Sequence, residues 1–383
     1  MIYLDNCSTT EMREEVLESL YKALREDFGN PSSLHSLGFS VEKKMDWARD
    51  TIARFLGVEA RELYFTSGGT EANNLAINSA IKKMRNRGNH LITTKIEHPS
   101  VLSVYKNLEQ EGFRVSYLPV DSHGFIDLDE LRASIGPDTI LISVMHVNNE
   151  IGSIEPIREV REILDEKNRE TLLHVDGVQG FGKLRLDLKA CGVDMYSFSS
   201  HKVHGPKGVG GLYLSEKNKF EPTIFGGKQE RGFRSGTENA PSIIAFGRAV
   251  EILAENFEEE VTRVKGINSY FRERLTEEIS DIRINTLFEK SSPFIVNVSI
   301  NNIRGEVLVH YLEQEEIYLS TSSACSSNDT KKSHVLESIG LNNKEIEGSM
   351  RICFSHKTSR EDIDKTVGAM KAAVKEIRDI IMR

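Results

Sequence analysis

Four cysteines in 383 residues, at positions 7, 191, 325 and 353, are too few and too scattered for a disulfide framework, and no pair has the C-x-x-C spacing of a zinc or thioredoxin-like site. That scarcity points to a reducing compartment. No run of about 18 apolar residues occurs, so no membrane-spanning helix and no membrane partner is expected. The opening MIYLDNCSTTEMREE carries acids where a secretory leader has a basic and then an apolar stretch, and the chain reads as cytoplasmic. Basic residues are in deficit, 49 Lys and Arg against 58 Asp and Glu for a net charge of −9, which disfavours a broad electrostatic footprint on nucleic acid. No direct nucleic-acid partner is expected. There is no internal repeat and no low-complexity segment longer than a loop. What the chain does have is an ordinary apolar share, 39%. It can bury a sizeable core, and intrinsic disorder is excluded.

Short β-rich runs alternate with helical patterns through the first two thirds, the rhythm of a mainly parallel sheet covered by helices. Val41, Met45, Ala48, Ile52 and Phe55 form an amphipathic stripe that stops at Gly57. Strands are expected at 63–66, 90–93, 114–118, 139–146, 171–175, 194–199 and 209–214, making a seven-stranded sheet. After Asn239 the character changes to a long charged helix, 243 to about 279, read as a solvated connection between two domains. A strand at 294–300, a helix at 305–314, a Ser-rich loop, a strand at 351–354 and a terminal helix from about Ser359 then suggest a smaller α/β domain. The fold class is α/β, with residues 12–255 as the large domain and 1–11 plus 256–383 as the small one.

Several of these strands end in segments too polar and varied to be plain turns, and in open α/β sheets the carboxyl ends of strands form the ligand crevice. The strand at 63–66 runs into Ser67-Gly68-Gly69-Thr70-Glu71 and a helix. Glycines admit a ligand close to the backbone, Thr70 can cap the helix, and its N-terminus offers free N–H groups to an anion; a plain capped turn would look the same. The strand at 171–175 leads into His174-Val175-Asp176-Gly177-Val178-Gln179. Asp176 there can be a helix cap, a metal ligand or the partner of a cationic ligand nitrogen. The next strand ends in Ser199-Ser200-His201-Lys202, trailed by Gly205, Pro206 and Gly208. A lone loop lysine is normally a solvated charge, but this setting suits a buried, reactive amine. An anion cradle, an acid for a ring nitrogen and a reactive lysine are together the protein groups that pyridoxal 5'-phosphate requires.

The same residues carry a family resemblance. Tyr3-Leu4-Asp5-Asn6, TSGGTEANNLAI (66–77), EHPSV (97–101), MHVNNEIG (145–152), HVDGVQ (174–179), SFSSHKVHGPKG (197–208), RSGTEN (234–239), RGEVL (304–308) and SSACSS (322–327) resemble the cysteine desulfurases over nearly the whole chain. These are class-V-aminotransferase-like enzymes of pyridoxal-phosphate fold type I, and they supply sulfur for iron–sulfur clusters and tRNA thiolation. The resemblance implies that Lys202 carries the cofactor, Asp176 holds the ring nitrogen protonated, Gln179 bonds the ring's phenolic oxygen, and His98 stacks on the ring and shuttles a proton. It implies a phosphate site of Gly69, Thr70, Ser199 and His201, joined by Thr237 from the second subunit of a homodimer. It assigns Asn149 and Arg351 to the amino-acid substrate L-cysteine, with Arg351 forking onto the carboxylate.

Cys325 lies among small polar residues, 321–330, and is expected on an exposed, mobile loop. Lys331 and Lys332 would favour its thiolate. By the resemblance it takes the substrate sulfur as a persulfide and passes it to a sulfur-acceptor protein, leaving alanine. Cys191 and Cys353 read as packing residues. Cys7-Ser8, Lys228 and Ser322 depart from the small residues and glycines usual at those places. Three other functions share parts of this pattern: a class-V aminotransferase, which does without Cys325, a selenocysteine lyase, and a scaffold that does not bind the cofactor.

Overall fold

A computed structural model describes residues 1–321 and 332–381. The seven expected strands are present as one sheet, in the order Leu63–Thr66, Gly210–Leu214, Met195–Ser199, Leu172–Asp176, Thr139–Met145, His90–Thr94, Arg114–Leu118. Gly210–Leu214 runs antiparallel to both its neighbours, and the other adjacent pairs are parallel. Six strands therefore deliver their carboxyl ends to the same edge. Strands such as Thr139–Met145 are buried along their whole length, as a sheet covered on both faces demands. The stripe on Ser36–Leu56 is buried at Val41, Met45, Ala48 and Ile52, and Gly57 ends the helix in the left-handed conformation (φ 70°) that glycine adopts without strain.

A second, antiparallel sheet of four strands has the order Ser320–Thr321, Ser349–Cys353, Ile295–Ile300, Ile282–Ile284. Ile2–Tyr3 pairs in parallel with Ile317–Tyr318 beside it, so the start of the chain is held by its last third. No helix among the described residues is long and apolar enough to cross a membrane.

The helix at Ala240–Glu278 has 39 residues and corrects one expectation. It is not a solvated rod. Ile243, Phe246, Val250, Leu253 and Phe257 are buried in the cluster under the large sheet, and Val264, Ile267, Phe271 and Leu275 in the cluster under the small one. Both sets follow the three-to-four-residue spacing of a helix face, so the runs of glutamate between them cover only the opposite side.

Candidate active site

The strand ends at Asp176 and Ser199, the loop after Met145 and the N-terminus of the helix Gly69–Met84 meet around a cavity of about 420 Å³, closed by residues 7–8 and by Arg351 from the second sheet. Ten of the twelve residues singled out from the sequence line it. Thr237 does not, and its side chain is exposed. Cys325 and Lys331 lie outside the described residues, whereas Lys332 donates to Asn343 Oδ1 at 2.6 Å.

One end of the cavity is a cradle. A Cβ on Gly69 would come within 2.5 Å of Val178 Cγ2, so the helix start seats tightly against the neighbouring turn. Gly68, at φ 152°, is the residue before it. Thr70 does not cap this helix as its position suggested: Gly68 takes the cap place, with no side-chain bond, because the helix begins one residue before Thr70. Its first N–H groups are thus left for an anion. Ser199 Oγ is buried without a hydrogen-bond partner. Beside it, burial and the charges of Lys202, Lys207 and Lys183 push His201 down to about 4, so its imidazole is neutral at pH 7.

The middle holds the acid and the amine. Asp176 closes its strand, and its Oδ1 accepts from Val178 N–H at 3.0 Å, a local turn and not a helix cap. Asn73 Nδ2 donates to Asp176 Oδ2 at 2.7 Å and to Ser100 Oγ at 2.9 Å. No group of residues among those described could hold a metal ion. His98 is half-buried at the start of the helix Pro99–Gln110, where Nδ1 accepts from Ser100 N–H at 3.1 Å. Burial pushes its pKa below the usual imidazole value, the nearby Lys202 and His334 add to this, and Asp176 opposes it. With Nδ1 accepting, the ring's proton sits on Nε2. Lys202, in the turn Ser200–Lys202, donates Nζ to the carbonyl oxygens of Cys7 and Ser8, the latter at 2.9 Å. Gln179 donates Nε2 to Cys7 O at 2.9 Å and accepts from Lys183 Nζ at 2.8 Å.

The far end is cationic. Arg351 is 2% exposed. Its Nη2 reaches Asp5 Oδ1 at 2.9 Å and Ser8 Oγ at 2.6 Å, its Nη1 reaches Asn149 O at 3.1 Å, and its Nε has no hydrogen-bond partner. Asn73, Ser100 and Asp5 are the positioning residues that sequence reasoning passed over. All three lie inside the quoted motifs, but no motif states which member turns inward.

The aminotransferase class-V family model matches residues 2–366. The chain belongs to that family. Within this class-V family it is 40% identical over 379 residues to a cysteine desulfurase IscS of Dictyoglomus turgidum, covering 99% of this chain and 96% of that one. A cysteine desulfurase IscS of Clostridium botulinum is 41% identical over 381 residues, with the same coverage. Among solved structures, a NifS-like protein superimposes with a TM-score of 0.92 at 38% identity, over 98% of this chain and 99% of the other.

Class-V aminotransferases use pyridoxal 5'-phosphate, and the cavity fits it. The unpartnered Ser199 hydroxyl and the open helix start suit a phosphate, and Asp176 and Lys202 lie beyond them on the same cavity.

Proposed function

We infer that this cavity converts L-cysteine to L-alanine and passes the sulfur onward, as a pyridoxal-phosphate-dependent cysteine desulfurase. The observation that carries the reading is the convergence of Lys202, Asp176 and Arg351 on one cavity that also presents an orphaned hydroxyl at a helix start. Gly69, Thr70, Ser199 and His201 would hold the phosphate, Asp176 the ring nitrogen's proton and Gln179 the phenolic oxygen. Lys202 would carry the cofactor. When bound, that group supplies an electron sink for the pair released at the substrate's Cα.

The chain's own residues do the rest. The Nε edge of Arg351, with Asn149 beside it, binds the substrate carboxylate. Lys202 Nζ takes the Cα proton, and the carbonyls of Cys7 and Ser8 aim it. The Cys325 thiolate forms a bond to the substrate sulfur as the C–S bond breaks, and the electron pair stays with the departing carbon. His98 returns a proton from Nε2, and alanine leaves. The persulfide on Cys325 goes to an acceptor protein serving iron–sulfur cluster assembly or tRNA thiolation in the cytoplasm. Thr237, exposed and away from its own cavity, fits a homodimer in which it reaches the partner's phosphate site. Residues 12–255 act as the cofactor-binding domain and 1–11 with 256–383 as the small domain, a division supported by the two separate apolar clusters that share the long helix.

The test is to mix the protein with pyridoxal phosphate, L-cysteine and a thiol reductant, and to measure alanine and sulfide together. Equal yields are expected, lost in Lys202→Ala and in Cys325→Ser. A keto acid in place of alanine would overturn the reading.

A further inference from the structure

Cys7 and Cys353, 2% and 0% exposed, are buried in the same apolar cluster, close enough for each thiol to shift the other's pKa. Residues 346 positions apart are brought together because Cys353 N–H donates to Leu4 O at 2.7 Å and Asn6 Nδ2 to Cys353 O at 2.8 Å, zipping the N-terminal segment onto the strand Ser349–Cys353. Cys7 also lines the cavity, and Cys353 is not among its lining residues. The desulfurase reading uses neither thiol.

We propose that Cys7 and Cys353 are an oxidisable dithiol, a modification site in the wall of the substrate cavity that closes to a disulfide under peroxide and lowers turnover. Two buried thiols in one cluster, on segments held together by short hydrogen bonds, are placed to reach disulfide geometry by local movement. The surroundings favour Cys7 as the attacking sulfur. Burial raises its pKa, but the neighbouring Cys353 thiol and the charges of Lys183, Arg351 and Lys202 outweigh burial and bring it to about 6. Burial and the neighbouring Cys7 instead raise Cys353 well above the usual thiol value.

The steps balance. The Cys7 thiolate attacks one peroxide oxygen, the O–O bond breaks, and the hydroxide released takes up a proton as water, leaving a sulfenic acid. Cys353 sulfur then attacks Cys7 sulfur, and the hydroxyl leaves with the Cys353 proton as a second water. Two thiols lose two electrons and the peroxide gains them. Closure would pull on the Cys7 carbonyl, which accepts from both Lys202 and Gln179, and on the strand that carries Arg351. The effect on turnover rests on the desulfurase reading; the bond itself does not.

The experiment treats the cofactor-loaded protein with hydrogen peroxide, alkylates the remaining thiols and maps tryptic peptides without reduction. The expected product links residues 1–13 to 352–357, reopens with a thiol reductant, and is absent from Cys7→Ser and Cys353→Ser. Turnover of the parent protein should fall at least fivefold further than that of Cys353→Ser, each relative to its own untreated rate, and should recover on reduction. Separately alkylated peptides at 7 and 353, a Cys7–Cys325 link, or a linked protein that keeps its turnover would overturn the proposal. A linked peptide in a protein that makes no alanine would count against the desulfurase reading alone.

Discussion

Ser333 Oγ donates to Glu150 Oε2 at 2.5 Å, joining two residues 183 positions apart. Ser333 also accepts from Leu336 N–H as the cap of the helix His334–Ser338, so a single hydroxyl ties that helix to the loop carrying Asn149. Burial pushes Glu150 up to about 7 from the usual 4.5, against the opposing effects of the Ser333 bond and the Arg351 charge.

That shift has a sign. A carboxyl whose folded pKa lies above its unfolded one holds its proton more tightly in the native state, so stability falls as pH rises from about 4.5 to about 7. Glu150→Gln should remove this slope, and at pH 8 it should be more stable than the parent by on the order of 3 kcal/mol. The difference should close toward pH 5. Thermal unfolding across that range measures it, and parallel curves for the two proteins would contradict it.

Ser199→Ala should separate folding from cofactor binding. The hydroxyl is buried without a partner, so its removal should leave the cofactor-free protein as stable, or up to about 2 kcal/mol more so. Affinity for pyridoxal phosphate should fall about tenfold, the loss of one hydrogen bond to a charged group. Paired melts with and without cofactor, together with a cofactor titration, read both effects.

Asn73→Ala removes the amide that bonds Asp176 and Ser100 together. Leaving a buried carboxylate oxygen short of a donor costs about 1–3 kcal/mol, so the melting temperature should fall and kcat should fall roughly tenfold. Because Asn73 acts through Asp176, KM for cysteine should move less than kcat. A change confined to KM would place Asn73 elsewhere in the mechanism.

Arg351→Lys keeps the charge but loses the fork that reaches Asp5, Ser8 and Asn149 at once. KM for L-cysteine should rise by roughly ten- to a hundredfold, the loss of one to two charge-assisted hydrogen bonds, with a smaller change in kcat. Steady-state kinetics on alanine formation distinguishes the two.

Local structure was readable at most places because it depends on neighbours in sequence. The strand at 114–118 and the helix at 305–314 fall where expected, since a short polar–apolar alternation (RVSYL) and a period near 3.6 declare themselves within ten residues. The strand expected at 171–175 is shifted by one residue and takes in Asp176, whose backbone continues the ladder with Ser197. The long helix spans Ala240–Glu278, close to the expected 243 to about 279, but it is buried where solvent is expected. Its glutamates suggested solvent, whereas the two apolar stripes between them each need a sheet to cover them, and sequence alone does not say which sheet. Thr70 had the chemistry of a cap but sits two residues past the cap position, Gly68.

By itself, the sequence determined which segments are strands and helices and which chemical groups stand at the strand ends, because backbone preference and side-chain chemistry are local properties. Only the tertiary structure decided that Gly210–Leu214 enters the sheet antiparallel, that Asn73 faces Asp176, and that residues 5–8 are clamped against residues 351–353. The raised Glu150, the lowered His201 and the opposite shifts of Cys7 and Cys353 were likewise its doing. Those properties arise from burial and from charges brought together across as many as 346 residues, and they exist only once the register of distant strands is set.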